Sequence, residues 1–200
     1  MDAITTTVSI SIILSALTVM AFHQEFGSVY FMIMIGVMAA LIGFLYFNWH
    51  PSKMYMGDTG SQFLGVFLAA VGIKYLWNAE PPSGDLISAR NLLLPLIVFL
   101  MPIIDTTTVV INRLMKGQSP FIGGKDHTTH ALAYLGLSDR QVALVFWFMT
   151  LLSLLLVVII EKYLLDWTHT YTFIFSIYIL IMFSLFYYAA RTVKKKKENV

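Results

Sequence analysis

Long apolar runs alternate with short polar stretches along most of the chain. Six runs, near residues 4–22, 28–47, 60–77, 92–112, 142–161 and 171–190, are each long enough to cross a hydrocarbon core of roughly 30 Å. They are uninterrupted, whereas the strands of an outer-membrane barrel alternate in segments of about ten residues. The expected fold is therefore all-α, a polytopic membrane helical bundle of about six transmembrane helices. Pro95 and Pro102 are expected to kink the fourth run. The first run has Asp2 before it and no basic leader, so it reads as a span and not as a cleaved signal.

Composition agrees: hydrophobic residues make up 58% of the chain and charged residues 12%. The tail "RTVKKKKENV" places Arg191 and a run of four lysines after the last run, and such clusters stay cytoplasmic. The pattern divides the chain into a transmembrane region, 1–190, and a basic cytoplasmic tail, 191–200. Threading back from the tail puts loops 48–59 and 113–141 inside with Met1, and loops 23–27, 78–91 and 162–170 outside. Of the 13 Lys and Arg residues, only Lys74, Arg90 and Lys162 then fall outside. Loop 113–141 is longer than a bare connection needs, so it is expected to hold a short helix or a functional segment. There is no cysteine, hence no disulfide and no thiolate metal site.

Three polar clusters lie on the inner side of this threading. In "HPSKMYMGDTGS", Asp58 or Thr59 can cap a span starting near Ser61, the helix start can take a phosphate, and Asp58 can hold Mg²⁺. In "RLMKGQSPFIGGKDHTTHAL", Arg113, Lys116, Lys125, His127 and His130 suit the grip of a diphosphate. That loop also reads as an ordinary basic inner loop, or less well as a zinc site lacking a third ligand. The third is Asp105, an ionisable group inside an apolar run, which must face a cavity or a hydrogen-bonding neighbour.

The stretches "NWHPSKMYMGDTGSQFLG", "PIIDTTTVVINRLMKGQSPF" and "KDHTTHALAYLGLS", in that order, resemble the C-terminal half of the polyprenyl-phosphate N-acetylhexosamine-1-phosphate transferases. These are membrane enzymes that begin the lipid-linked sugars of cell walls, teichoic acids and O-antigens. The resemblance implies transfer of a sugar-1-phosphate from a UDP-N-acetylhexosamine to undecaprenyl phosphate, with release of UMP, at the bacterial cytoplasmic membrane. It implies Mg²⁺ as cofactor, with Mn²⁺ as the alternative ion, and no nucleic-acid partner. Asp58 matches the acidic metal ligand of the family's MGDxGS motif. His127 and His130 match the outer histidines of an HxHH segment associated with nucleotide-sugar binding, with Thr129 in place of the central histidine. Asn48, Asp105 and Arg113 fall at site-lining positions, and Lys125 belongs to the same basic loop. The opening "MDAITTTVS" is similar to the end of an NxxDGxDGL segment, so Asp2 stands for its last aspartate, a catalytic position. The expectation is of an incomplete enzyme, completed by an N-terminal half or a second copy. Two other classes are a non-catalytic partner subunit and a membrane transporter, the latter requiring broken helices that meet near mid-membrane.

Overall fold

In a computed structural model the chain is described over residues 3–79, 89–121 and 127–198, with side chains to 192. Among the described residues eight α-helices follow in order: α1 (Ile4–Phe22), α2 (Val29–Asn48), α3 (Gly57–Val71), α4 (Ala89–Val98), α5 (Leu100–Leu114), α6 (Thr128–Tyr134), α7 (Asp139–Tyr163) and α8 (His169–Glu198). A π-helical turn, Gly72–Trp77, extends α3. Among the described residues, five helices are long and apolar enough to cross a membrane, and six if the bent pair α4–α5 counts as one span. The fold is the expected polytopic membrane bundle.

The first helix is the buried centre of the bundle. It packs on α7, α2 and α3, with Ile12, Ile13 and Ala16 inaccessible or nearly so. Small hydroxyl residues let its neighbours come close, and each needs a partner away from water. Ser11 Oγ bonds Thr150 Oγ1 of α7 at 3.1 Å, Ser15 bonds back to the Ser11 carbonyl, and Thr7 to that of Ala3. By contrast α2 buries only Met34, Leu41 and Asn48, and its other faces are apolar and outward, as a lipid-facing helix requires.

The fourth span departs from expectation. Pro95 sits inside α4 without ending it, so one expected kink is absent, while the kink expected from Pro102 is present as a break of 78° at Phe99, in the turn before that proline. Pro102 has no N–H to offer the carbonyl of Val98, four residues earlier, so the helical ladder loses a rung at the break. Phe99 itself is held on both sides, its N–H bonded to the Pro95 carbonyl at 2.8 Å and its carbonyl accepting from Ile103 N–H at 3.0 Å.

The long inner loop does contain a short helix, α6, which packs on α5, α7 and α8. The capping expected near Ser61 is not found. Helix α3 starts at Gly57, four residues earlier, its N-cap Met56 makes no side-chain cap bond, and Asp58 lies within the first turn. Gly57 takes φ +69°, a left-handed conformation open to glycine, and this turns the chain into the helix. Helix α8 runs on through the basic segment to Glu198.

At the opposite end of the bundle an unforeseen ion pair is buried. The Arg90 guanidinium donates to Glu161 Oε1, joining α4 to α7, and both residues are under a tenth exposed. His23, just past the end of α1, lies 3.6 Å from the other Glu161 oxygen. Isolated, either charge would be prohibitive in an apolar interior; together they join three helices.

Candidate functional site

Two adjoining cavities open at the end of the bundle where α1 and α3 begin. The larger, of about 520 Å³, lies between α1, α3, the α4–α5 break, α6 and α7. Its deeper wall is apolar, with Ile12, Leu64, Leu68, Phe99, Met101 and Phe146, while Ser61, Asp105, Thr106, His127, Thr129 and His130 supply polar surface. The smaller, of about 300 Å³, is lined by Ala3, Thr6, Asn48, Tyr55, Gly57 and Asp58 among others. Thr5 and Ser61 line both, so the two spaces share a wall.

Asp105 organises the polar side of the larger cavity. Its Oδ1 accepts the backbone N–H of Thr128 at 2.7 Å, and its Oδ2 lies 2.8 Å from His127 Nδ1. An ionised carboxylate only accepts, so this contact requires the proton on Nδ1 of the imidazole. The first N–H groups of a helix have no partner within it, and Asp105 satisfies one for α6. His130 stands one turn along α6, its ring centroid 6.4 Å from that of His127, and it too lines the cavity. Of the two readings of Asp105, cavity-facing and hydrogen-bonded to a neighbouring element, both describe it.

Asn48 braces the smaller cavity. Its Oδ1 accepts from Ala3 N–H at 3.1 Å and from Thr6 Oγ1–H at 2.9 Å, while its Nδ2 donates to the Met54 carbonyl at 2.9 Å. One side chain thereby ties the start of α1, the end of α2 and the connection to α3. Asp58 is exposed on the rim of this cavity, its carbonyl accepting from Ser61 Oγ at 3.0 Å. Among the described residues no group of three or more histidines or carboxylates converges as a ready-made metal site. A carboxylate beside the hydroxyls of Thr5, Thr6 and Ser61 is nonetheless the hard-oxygen donor set that suits Mg²⁺, an ion commonly bound by one or two carboxylates with water and substrate phosphate.

Arg113 is not brought to either cavity. It is buried beneath the turn after α5 and donates to the Pro120 carbonyl at 3.0 Å, so it shapes the start of the loop. Asp2 and Lys125 lie outside the described residues. Ala3, the neighbour of Asp2 in sequence, lines the smaller cavity together with Asp58. Sequence reasoning passed over Thr5 and Ser9, whose four-residue spacing on α1 puts both on the larger cavity. It also passed over Phe99, which no polar motif marks.

Comparison with known proteins bears on this arrangement. Residues 1–76, covering α1 to the π-helical turn, match the model of glycosyl transferase family 4. The chain is 31% identical over 147 residues to a Bacillus subtilis (strain 168) protein named as a probable undecaprenyl-phosphate N-acetylglucosaminyl 1-phosphate transferase, covering 74% of this chain and 38% of that one. It is 34% identical over 115 residues to the decaprenyl-phosphate N-acetylglucosaminephosphotransferase of Mycobacterium tuberculosis (strain H37Rv), covering 54% of this chain and 28% of the relative. The match over residues 1–76 places this part of the chain in glycosyl transferase family 4. The chain is also 35% identical over 129 residues to the phospho-N-acetylmuramoyl-pentapeptide-transferase of Oceanobacillus iheyensis, covering 64% of this chain and 35% of that enzyme. The chain thus spans about a third of the length of the curated relatives it matches. No solved structure matches it. The family-matched segment contains Asn48 and Asp58.

Proposed function

We propose that this chain takes part in moving a sugar-1-phosphate, N-acetylglucosamine-1-phosphate by preference, from a UDP-sugar to undecaprenyl phosphate with release of UMP. The observation that carries this reading is the shared wall at Thr5 and Ser61: an apolar chamber fit for a lipid chain meets a polar chamber with a carboxylate on its rim. In the proposed reaction an oxygen of the lipid phosphate attacks the sugar-bearing phosphorus, the bond to the bridging oxygen breaks, and UMP leaves with the electron pair.

The roles follow the geometry. The apolar part of the larger cavity takes the isoprenoid units nearest the lipid phosphate. Asp58 is the residue offered to Mg²⁺ or Mn²⁺, whose charge offsets that of the diphosphate oxygens. Asp2, beside the same wall in sequence, is the second catalytic carboxylate of the proposal. His127 and His130 face the nucleotide sugar, with His127 oriented by Asp105, and Lys125 adds positive charge in the same loop. Asn48 and Arg113 position the connections that carry these groups. The excess of basic residues on the loops at this end supports a cytoplasmic site, a cytoplasmic C-terminal tail and the bacterial inner membrane.

One observation touches the transporter alternative, since a broken helix is present. The break is a single one, however, and the ionisable groups gather beyond it at one end of the bundle, which favours interfacial chemistry over mid-membrane ion binding.

The test is a radiolabelled UDP-N-acetylglucosamine assay in membranes containing the chain, alone and co-expressed with a complementary N-terminal half. Labelled lipid and Mg²⁺-dependent UMP release are expected, and both are lost in Asp58→Asn without loss of membrane insertion. Wild-type turnover in Asp58→Asn removes Asp58 from the site. Transfer by the chain alone refutes the partner-subunit reading.

A further inference from the structure

The break at Phe99 has a counterpart across the bundle. Gly72 is buried at the point where α3 gives way to its π-helical turn, a widened geometry that tends to mark functional positions. A Cβ built on Gly72 would stand 2.8 Å from Phe99 Cε2, closer than real Cβ atoms approach, and 3.1 Å from Cζ, tighter than most such contacts. The ring of Phe99 therefore lies in a slot that only the missing side chain of Gly72 leaves open. Its other surroundings include the larger cavity, of which Phe99 is a wall.

From this juxtaposition we infer that the Gly72–Phe99 contact keeps open the part of the apolar chamber that takes the isoprenoid units next to the phosphate, so that both positions set the affinity for the lipid substrate. The inference rests on the lipid-binding reading above and adds a part that no polar motif or family comparison assigns. The direction of the effect comes from the backbone. Phe99 is pinned through both its N–H and its carbonyl to the helices on either side of the break, so its main chain yields poorly. Blocked at Gly72, the ring must swing about its own side-chain torsions. The open volume within its reach is the cavity, whereas the opposite side is the packed wall of α3. A ring moved in that direction occupies the space proposed for the isoprenoid units next to the phosphate. His127 and His130 stand on the polar side of the same cavity, away from its apolar wall, and the smaller chamber lies across Thr5 and Ser61, so the surfaces proposed for the nucleotide sugar keep their shape.

The experiment measures binding of undecaprenyl phosphate and farnesyl phosphate to the full chain in lipid nanodiscs, with UDP-N-acetylglucosamine as the control ligand. Gly72→Ala is expected to weaken both lipids about tenfold while leaving the nucleotide sugar within about twofold. The second variant, Phe99→Trp, keeps Gly72 but carries a ring too large for the slot, and is expected to act in the same direction. Adding Phe99→Ala to Gly72→Ala removes the displaced ring and should return lipid affinity to within about threefold of wild type. Unchanged lipid affinity in both Gly72→Ala and Phe99→Trp overturns the inference, as does a folded double variant that stays as weak as Gly72→Ala. Absence of polyprenyl-phosphate binding by the wild-type chain would instead overturn the lipid reading itself, so the two failures are distinguishable.

Discussion

Removing the carboxylate of Asp105 isolates the interaction that docks α6 against α5. In Asp105→Ala the Thr128 N–H, which belongs to a fully buried residue, loses its acceptor. A hydrogen bond to a charged group is worth about 1.5–3 kcal/mol. The His127 contact adds little, because that side chain is 46% exposed and water screens the pair; an exposed pair contributes about 0.2–1 kcal/mol. Taking the Thr128 bond alone, local opening of the start of α6 becomes easier by about ten- to a hundredfold, at 1.4 kcal/mol per decade. Hydrogen–deuterium exchange at the Thr128 amide, in nanodiscs, reads this directly. Asp105→Asn retains a neutral oxygen acceptor, worth about 0.5–1.5 kcal/mol, and should exchange at an intermediate rate. Exchange in Asp105→Ala within about twofold of wild type would show that Asp105 does not hold α6, and the orientation of His127 would need another cause.

Two further expectations concern packing. Glu161→Gln leaves the Arg90 guanidinium buried without its counter-charge and should destabilise the bundle by about 3–5 kcal/mol, seen as a drop of several degrees or more in thermal melting, whereas Arg90→Leu with Glu161→Leu should recover most of the loss. Asn48→Ala orphans the buried hydroxyl of Thr6 and the Ala3 N–H, at about 1–3 kcal/mol for each group left unsatisfied; faster proteolysis in the 49–56 connection than in α2 would report it, and an unchanged cleavage pattern would count against the brace.

The spans were legible because their signal is a long uniform run, and lipid imposes few alternatives on such a run. The short helix in the long inner loop was legible from loop length alone. What escaped was set by tertiary geometry. The kink of Pro102 is expected, but Pro95 lies inside α4 without breaking it, and the break falls at Phe99 because the missing N–H of Pro102 acts on Val98 one turn back. Asp58 looked like a cap because it precedes an apolar run, yet Gly57 turns the chain early enough to place it inside the first turn. Arg90 and Glu161 are 71 positions apart, and nothing local marks them as partners. The candidate site was half visible: Asp58, Asp105, His127 and His130 stand out as polar groups among apolar ones. Arg113 stood out equally and is turned toward its own loop. Thr5, Ser61 and Phe99 contribute by shape, which has no compositional mark.

The buried Arg90–Glu161 pair, with His23 at its exposed edge, gives the bundle a mechanical polarity. Three helices are riveted together at one extremity, and both chambers open at the other. Like a clothes-peg, the bundle is pinned at its spring end, and on the proposed function the amphiphilic lipid would enter and leave between the jaws.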